Sequence, residues 1–207
     1  MRTLLPLTIL LPALAFGACN GDDDDDETPT AAAGGATATP TSPAGTPAVE
    51  TPAGTPGPFQ GSTQPVEVAA PQNQPPSRLV AVRAAAQQGF DRIVFEFADN
   101  RIPGYRVAYV DEAVNCGSGQ DVTAFIGGGT APAAILLVDM RPADAHNEQG
   151  QATAPRDLSP QLQTIKRAFG TCDFEAVTTY ALALSGEKPF KVSTLNDPAR
   201  LVIDIAQ

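Results

Sequence analysis

Between Asn20 and Ser77 the chain has no Lys or Arg and no periodic apolar pattern, only dense Pro, Thr, Ala and Gly with a few acidic residues. Such a stretch cannot bury enough apolar surface to offset the entropy lost on ordering it. Folding must therefore be concentrated after it, and from Arg78 the composition changes: aliphatic runs of strand length alternate with Gly, Pro, Asn and Asp, and basic residues occur throughout. Charge divides the same way. The 207 residues carry a formal charge of −10, whereas Arg78 to Gln207 holds 12 basic and 15 acidic residues and is close to neutral. Neither part has the basic surplus that nucleic acid binding requires.

The folded part reads as all-β. In Ile93-Val94-Phe95-Glu96-Phe97, the apolar Ile93, Phe95 and Phe97 alternate with Arg92, Val94 and Glu96, the period-two pattern of a half-buried strand. Tyr105–Val110 repeats it after turn signals at Asp99-Asn100 and Pro103-Gly104. Further strands are expected at Leu79–Arg83, Val122–Ile126, Ile135–Met140, Gln163–Phe169, Ala176–Leu184, Phe190–Thr194 and Leu201–Ile205. Nine short strands with frequent turns indicate a small β-sandwich or barrel. Helix is expected only as single turns at Ala84–Gln88 and Ser159–Gln163.

The first residues have a secretory layout: a basic start at Arg2, an apolar run from Leu4 to Phe16, and small residues at Gly17 and Ala18. The run is shorter than the roughly 20 residues of a membrane-spanning helix. Cys19 follows directly, and Phe16-Gly17-Ala18-Cys19 resembles the lipobox of bacterial lipoproteins, with Phe16 where Leu is usual. The resemblance implies removal of residues 1–18, a diacylglycerol thioether on Cys19 with acyl chains such as palmitate, and Cys19 as the new N-terminus. Two or three such chains hold a protein at the membrane, since each buried methylene contributes about 0.8 kcal/mol.

Residues 19–77 then form a disordered acidic tether. Asp22 to Glu27 would be repelled by anionic headgroups over roughly 8 Å. Consecutive carboxylates without a turn glycine do not make a calcium loop. Repeated Thr-Pro-Ala favours extended conformations, with an r.m.s. span of roughly 40 to 45 Å. Thr, Pro and Ala together are also a composition that accepts sugars.

If Cys19 carries lipid, Cys116 and Cys172 remain as an even pair in an oxidising compartment, and a disulfide between them is expected. Zinc is a weaker alternative, because two distant thiols and a single histidine leave a tetrahedral site incomplete, and neither Cys has a nearby His to activate it as a nucleophile. His146 sits among Pro, Asp and Asn, a surface or turn context, although it could act as a base near neutral pH. No nucleophile motif, zinc-protease motif or phosphate loop occurs. Gly117-Ser118-Gly119 and Gly127-Gly128-Gly129 read as turns, since no helix is expected after them. Asp139 and Asp204 are isolated carboxylates in apolar strands, and Asp204 shares the outward face with Val202. No catalytic residue, metal or cofactor is assigned.

Leu79-Val80-Ala81-Val82-Arg83, Gly89-Phe90-Asp91-Arg92-Ile93-Val94-Phe95-Glu96-Phe97 and Pro103-Gly104-Tyr105-Arg106-Val107 resemble the opening of AMIN-like domains of bacterial envelope lipoproteins. The similarity continues through Leu136-Leu137-Val138-Asp139-Met140-Arg141-Pro142-Ala143 with His146, through Asp173-Phe174-Glu175, and through Pro198 to Ile205. It implies an all-β module over residues 78–207 related to the AMIN domain, which is associated with peptidoglycan binding and localisation. It does not imply hydrolysis, which in cell-wall amidases belongs to a separate domain.

The expected protein is therefore an extracytoplasmic, membrane-anchored, non-catalytic binding module for peptidoglycan or another wall component. Arg92, Glu96 and Arg106 are the candidate polar contacts, with Tyr105 or Tyr109 offering a ring to sugar. Two other readings compete: a scaffolding lipoprotein that binds another envelope protein through a sheet edge, and a hydrolase of unknown type, which loss of an activity on changing His146 would favour.

Overall fold

The computed structural model describes residues 58–207. Cys19, the segment before it and the tether up to residue 57 lie outside the described residues. The elements in chain order are β1 (Val66–Val68), β2 (Ser77–Gln87), β3 (Phe90–Phe97), β4 (Gly104–Val110), α1 (Thr123–Ile126), β5 (Ala134–Arg141), β6 (Ala143–Asp144), β7 (Asp157–Leu158), β8 (Ile165–Phe174), β9 (Val177–Leu184), β10 (Phe190–Leu195) and β11 (Ala199–Ala206). They form two sheets, one ordered β1-β4-β5-β9-β8-β7 and the other β10-β11-β3-β2-β6. All pairings are antiparallel except β2 with β6.

Alternation determines the face each strand buries. Ile93, Phe95 and Phe97 of β3, with Leu201, Ile203 and Ile205 of β11, meet Val107, Leu136, Val138, Met140, Tyr180 and Leu182 of the other sheet in one core. At the end of this core the buried Asp91 carboxylate accepts the backbone N–H groups of Thr164 and Ile165, at 2.6 and 2.9 Å, and the Gln207 side-chain amide at 2.8 Å. Three donors satisfy a charge that would otherwise be costly to bury.

Three features depart from expectation. Among the described residues there are eleven strands rather than nine. One extra strand, β1, lies in the stretch read as tether: Val66–Val68 pairs with Tyr105–Val107, while Ser62 exchanges both backbone hydrogen bonds with Phe190 on the edge of the other sheet, at 3.1 and 2.8 Å. Residues 58–76 thus cover exposed edges of both sheets, which backbone pairing allows without an apolar period. The others, β6 and β7, have two residues each.

Second, Val122–Ile126 is not a strand. Thr123–Ile126 forms the helical turn α1, in which Ile126 N–H donates to the Val122 carbonyl at 2.9 Å. Val122 and Ile126, four residues apart, share one face and pack with Ala113, Ile135, Ala181 and Ala183 in a second apolar cluster. Small Ala181 and Ala183 on the outer face of β9 leave room for this cover. Gly127 ends the turn where only glycine fits: a Cβ there would lie 1.9 Å from the Thr130 carbonyl oxygen.

Third, the expected helical turns are absent. Ala84–Gln87 continues β2, because its backbone pairs with Phe90–Ile93 across the Gln88-Gly89 turn and this pairing outweighs alanine's helix preference. Ser159–Gln163 has no regular structure, and β8 begins at Ile165 and runs to Phe174. Among the described residues, no helix is long and apolar enough to cross a membrane.

Candidate functional site

The segment after β6 turns back on itself. His146 bridges to Ala152, and the Asn147 side-chain oxygen accepts the N–H groups of Gln149 and Gln151 at 3.0 and 2.9 Å. Thr153 ties this loop to the sandwich through its hydroxyl, which donates to the Leu79 carbonyl at 2.7 Å. Facing the loop is the end of β8, where a two-residue turn, Glu175-Ala176, leads into β9. Both residues lie in the left-handed region, with φ of 50° and 57°. That is the twist a tight hairpin needs and a conformation non-glycine residues enter at a cost.

Asp173, just before this turn, joins the two segments. Its Oδ1 accepts the Ala145 N–H at 2.8 Å, and its Oδ2 lies 2.8 Å from His146 Nδ1. An ionised carboxylate only accepts, so Nδ1 carries the proton and Nε2 is the nitrogen left for another partner. This hydrogen bond, aided by the charges of Asp173 and Asp144, holds the imidazolium above its ordinary pKa of 6.5, against a smaller opposing effect of burial.

Between the loop and β8 lies a cleft of about 420 Å³ lined by His146, Arg156, Gly170, Asp173, Phe174 and Tyr180, among others. Tyr180 is buried, with its hydroxyl donating to the Pro155 carbonyl at 2.7 Å. Desolvation raises its phenol pKa far beyond the usual range. Arg156 Nε donates to the Gly170 carbonyl at 2.9 Å, and its guanidinium lies 5.4 Å from the Phe169 ring centre. Phe174 is 63% exposed at the rim.

One wall of the cleft is stapled. Cys116 and Cys172 form a disulfide, with the Cys116 N–H donating to the Thr171 carbonyl at 3.1 Å. The bond fastens the segment carrying α1 to β8. Asp144, His146 and Asp173 also place one ligand atom each within 4.8 Å of one another. Two of the three, His146 and Asp173, are already joined by their direct hydrogen bond.

The polar residues singled out from the sequence do not gather. Arg92 and Glu96 lie on the outward face of β3, where Arg92 pairs with Asp204 and Glu96 with Arg83. Arg106 is on β4 in the other sheet, 3.9 Å from Glu67. Tyr105 and Tyr109, also on β4, pack against the main core, and burial raises both phenols above their ordinary pKa. The Tyr109 hydroxyl donates to the Lys188 carbonyl at 2.7 Å and accepts its N–H at 2.9 Å. Asp139 and Asp204 are in different sheets; Asp139 is held by Arg141 and Thr179, and Asp204, expected on the solvent side, is buried with its carboxylate paired to Arg92. Sequence reading undervalued His146, Asp173 and Phe174. The available signal was their place in two of the stretches similar to AMIN-like domains.

The geometry is that of a small all-β domain: two sheets over a common core, with a side-chain-lined cleft at one end. The AMIN-like domain model matches residues 77–207, and the chain belongs to this family. Membership points to an extracytoplasmic module for binding the cell wall. No curated protein matches the chain.

Proposed function

We propose that this is a lipid-anchored protein of the bacterial envelope, processed before Cys19, whose domain binds peptidoglycan through the cleft between His146 and Phe174. The observation that carries the reading is the meeting of His146 and Asp173, 27 residues apart in sequence, in one cleft beside an exposed aromatic ring. Concave shape, a few convergent polar groups and an apolar rim are what a small-ligand site requires. Arg92 and Glu96, each satisfied by an ion pair within its own sheet, are better assigned to stability.

The lipid anchor is supported by the Phe16-Gly17-Ala18-Cys19 sequence and by the disulfide, which suits an oxidising compartment. The full chain in detergent is expected to sediment with purified insoluble wall at moderate salt; failure to sediment removes the wall-binding reading. Mass spectrometry of the mature N-terminal peptide tests the anchor separately, with an unmodified Cys19 as the refuting result.

A further inference from the structure

We infer that the cleft takes the sugar chain of the wall rather than its peptide, an inference that rests on the wall-binding reading above. Its polar groups are planar and paired: the Asp173 carboxylate, the His146 imidazole and the Arg156 guanidinium. Among the described residues, His146 Nε2 and the two terminal nitrogens of Arg156 make no hydrogen bond within the protein. Flat donors and acceptors of this kind match adjacent hydroxyl and amide groups on a sugar ring. With His146 neutral, the Asp173 carboxylate and the Arg156 guanidinium balance, and the cleft has no surplus of positive charge to select an acidic stem peptide.

Phe174 gives the second reason. An aromatic ring 63% exposed at the rim of a cleft contributes little to the fold. The apolar face of a pyranose ring is a flat surface that can cover it and exclude water. The cleft volume of about 420 Å³ lies within the range of roughly 300–1,000 Å³ typical of small-ligand sites.

The third reason concerns backbone. A sheet ordinarily takes a peptide by adding it as a strand along a free edge. Here Gly170 already uses both its groups on Arg156, donating to the Arg156 carbonyl at 2.7 Å and accepting from Nε at 2.9 Å, and the Thr171 carbonyl accepts Cys116 N–H. Recognition at this edge therefore falls to side chains.

The test compares three probes on the full chain in detergent: intact insoluble wall, glycan strands stripped of peptide, and the released stem peptides. Glycan strands are expected to bind and to displace the protein from intact wall, while released peptides do not. Phe174→Ala is expected to weaken glycan binding about tenfold with an unchanged unfolding midpoint, and Asp173→Asn to weaken it as well. Displacement by peptides and not by glycan overturns the sugar assignment and leaves wall binding standing. Glycan binding unaltered in both variants also overturns it, by removing the sugar from this cleft. No retention on intact wall overturns both readings.

Discussion

Arg92 Nε and Nη2 meet the two carboxylate oxygens of Asp204 at 2.6 and 2.8 Å, joining β3 to β11 across 112 residues of sequence. The two residues are register partners, so backbone pairing brings the side chains together on the outward face. The Arg92 side chain is 39% exposed, whereas that of Asp204 is only 12% exposed. Arg92→Ala is expected to cost about 1–2 kcal/mol, less than a fully buried pair because solvent screens the arginine. A urea midpoint lowered without a change in slope would show it, and an unchanged midpoint would refute the assignment.

Protonation of His146 links stability to pH. Because its folded-state pKa lies above 6.5, the native state holds the proton more tightly than the unfolded chain. The stabilisation is fully present below the unfolded value and is lost as pH rises through the higher folded value. The melting temperature of His146→Gln should therefore show a smaller decline than the wild type between about pH 6 and 9. The effect is small because the imidazole is partly exposed. Parallel curves for the two proteins would contradict it.

The Glu175-Ala176 turn carries conformational cost that glycine relieves. Ala176→Gly is expected to stabilise the domain by about 1 kcal/mol, measured as a rise in melting temperature. The Ala143 N–H to Ala176 carbonyl hydrogen bond, 2.9 Å, needs no side chain and survives the change. A lower melting temperature would mean that the turn is not strained.

Reducing the Cys116–Cys172 bond frees the segment that covers Ala181 and Ala183. The sequence separation of 56 residues corresponds to roughly 4 kcal/mol of loop-closure entropy. The double variant Cys116→Ser, Cys172→Ser should unfold at lower denaturant, and the Ile126 amide should exchange faster than amides of β3 and β11. Equal protection of α1 in both proteins would show that the second apolar cluster holds it without the staple.

The all-β class was legible because Ile93, Phe95 and Phe97, like Leu201, Ile203 and Ile205, alternate with partly polar neighbours, and period-two burial is a local property of the chain. The cysteine pairing was legible from parity and compartment. Segments whose partners are distant were misread. Val122–Ile126 looks like a strand until Ala181 and Ala183 present a shallow surface to one helical face, and Val66–Val68 has no pattern of its own, only an edge of β4 to pair with.

For function, local order told which residues exist and tertiary order told which of them meet. From residues alone, Arg92 and Arg106 fall in neighbouring strands of the chain and invite a shared patch, yet the crossing from one sheet to the other separates them. His146 looks like a lone turn residue, yet the β8–β9 hairpin brings Asp173 to its Nδ1. Alternation along a strand chooses a face, and sequence carries that directly; proximity between faces depends on which strands pair, a choice made only when the two sheets close over a common core.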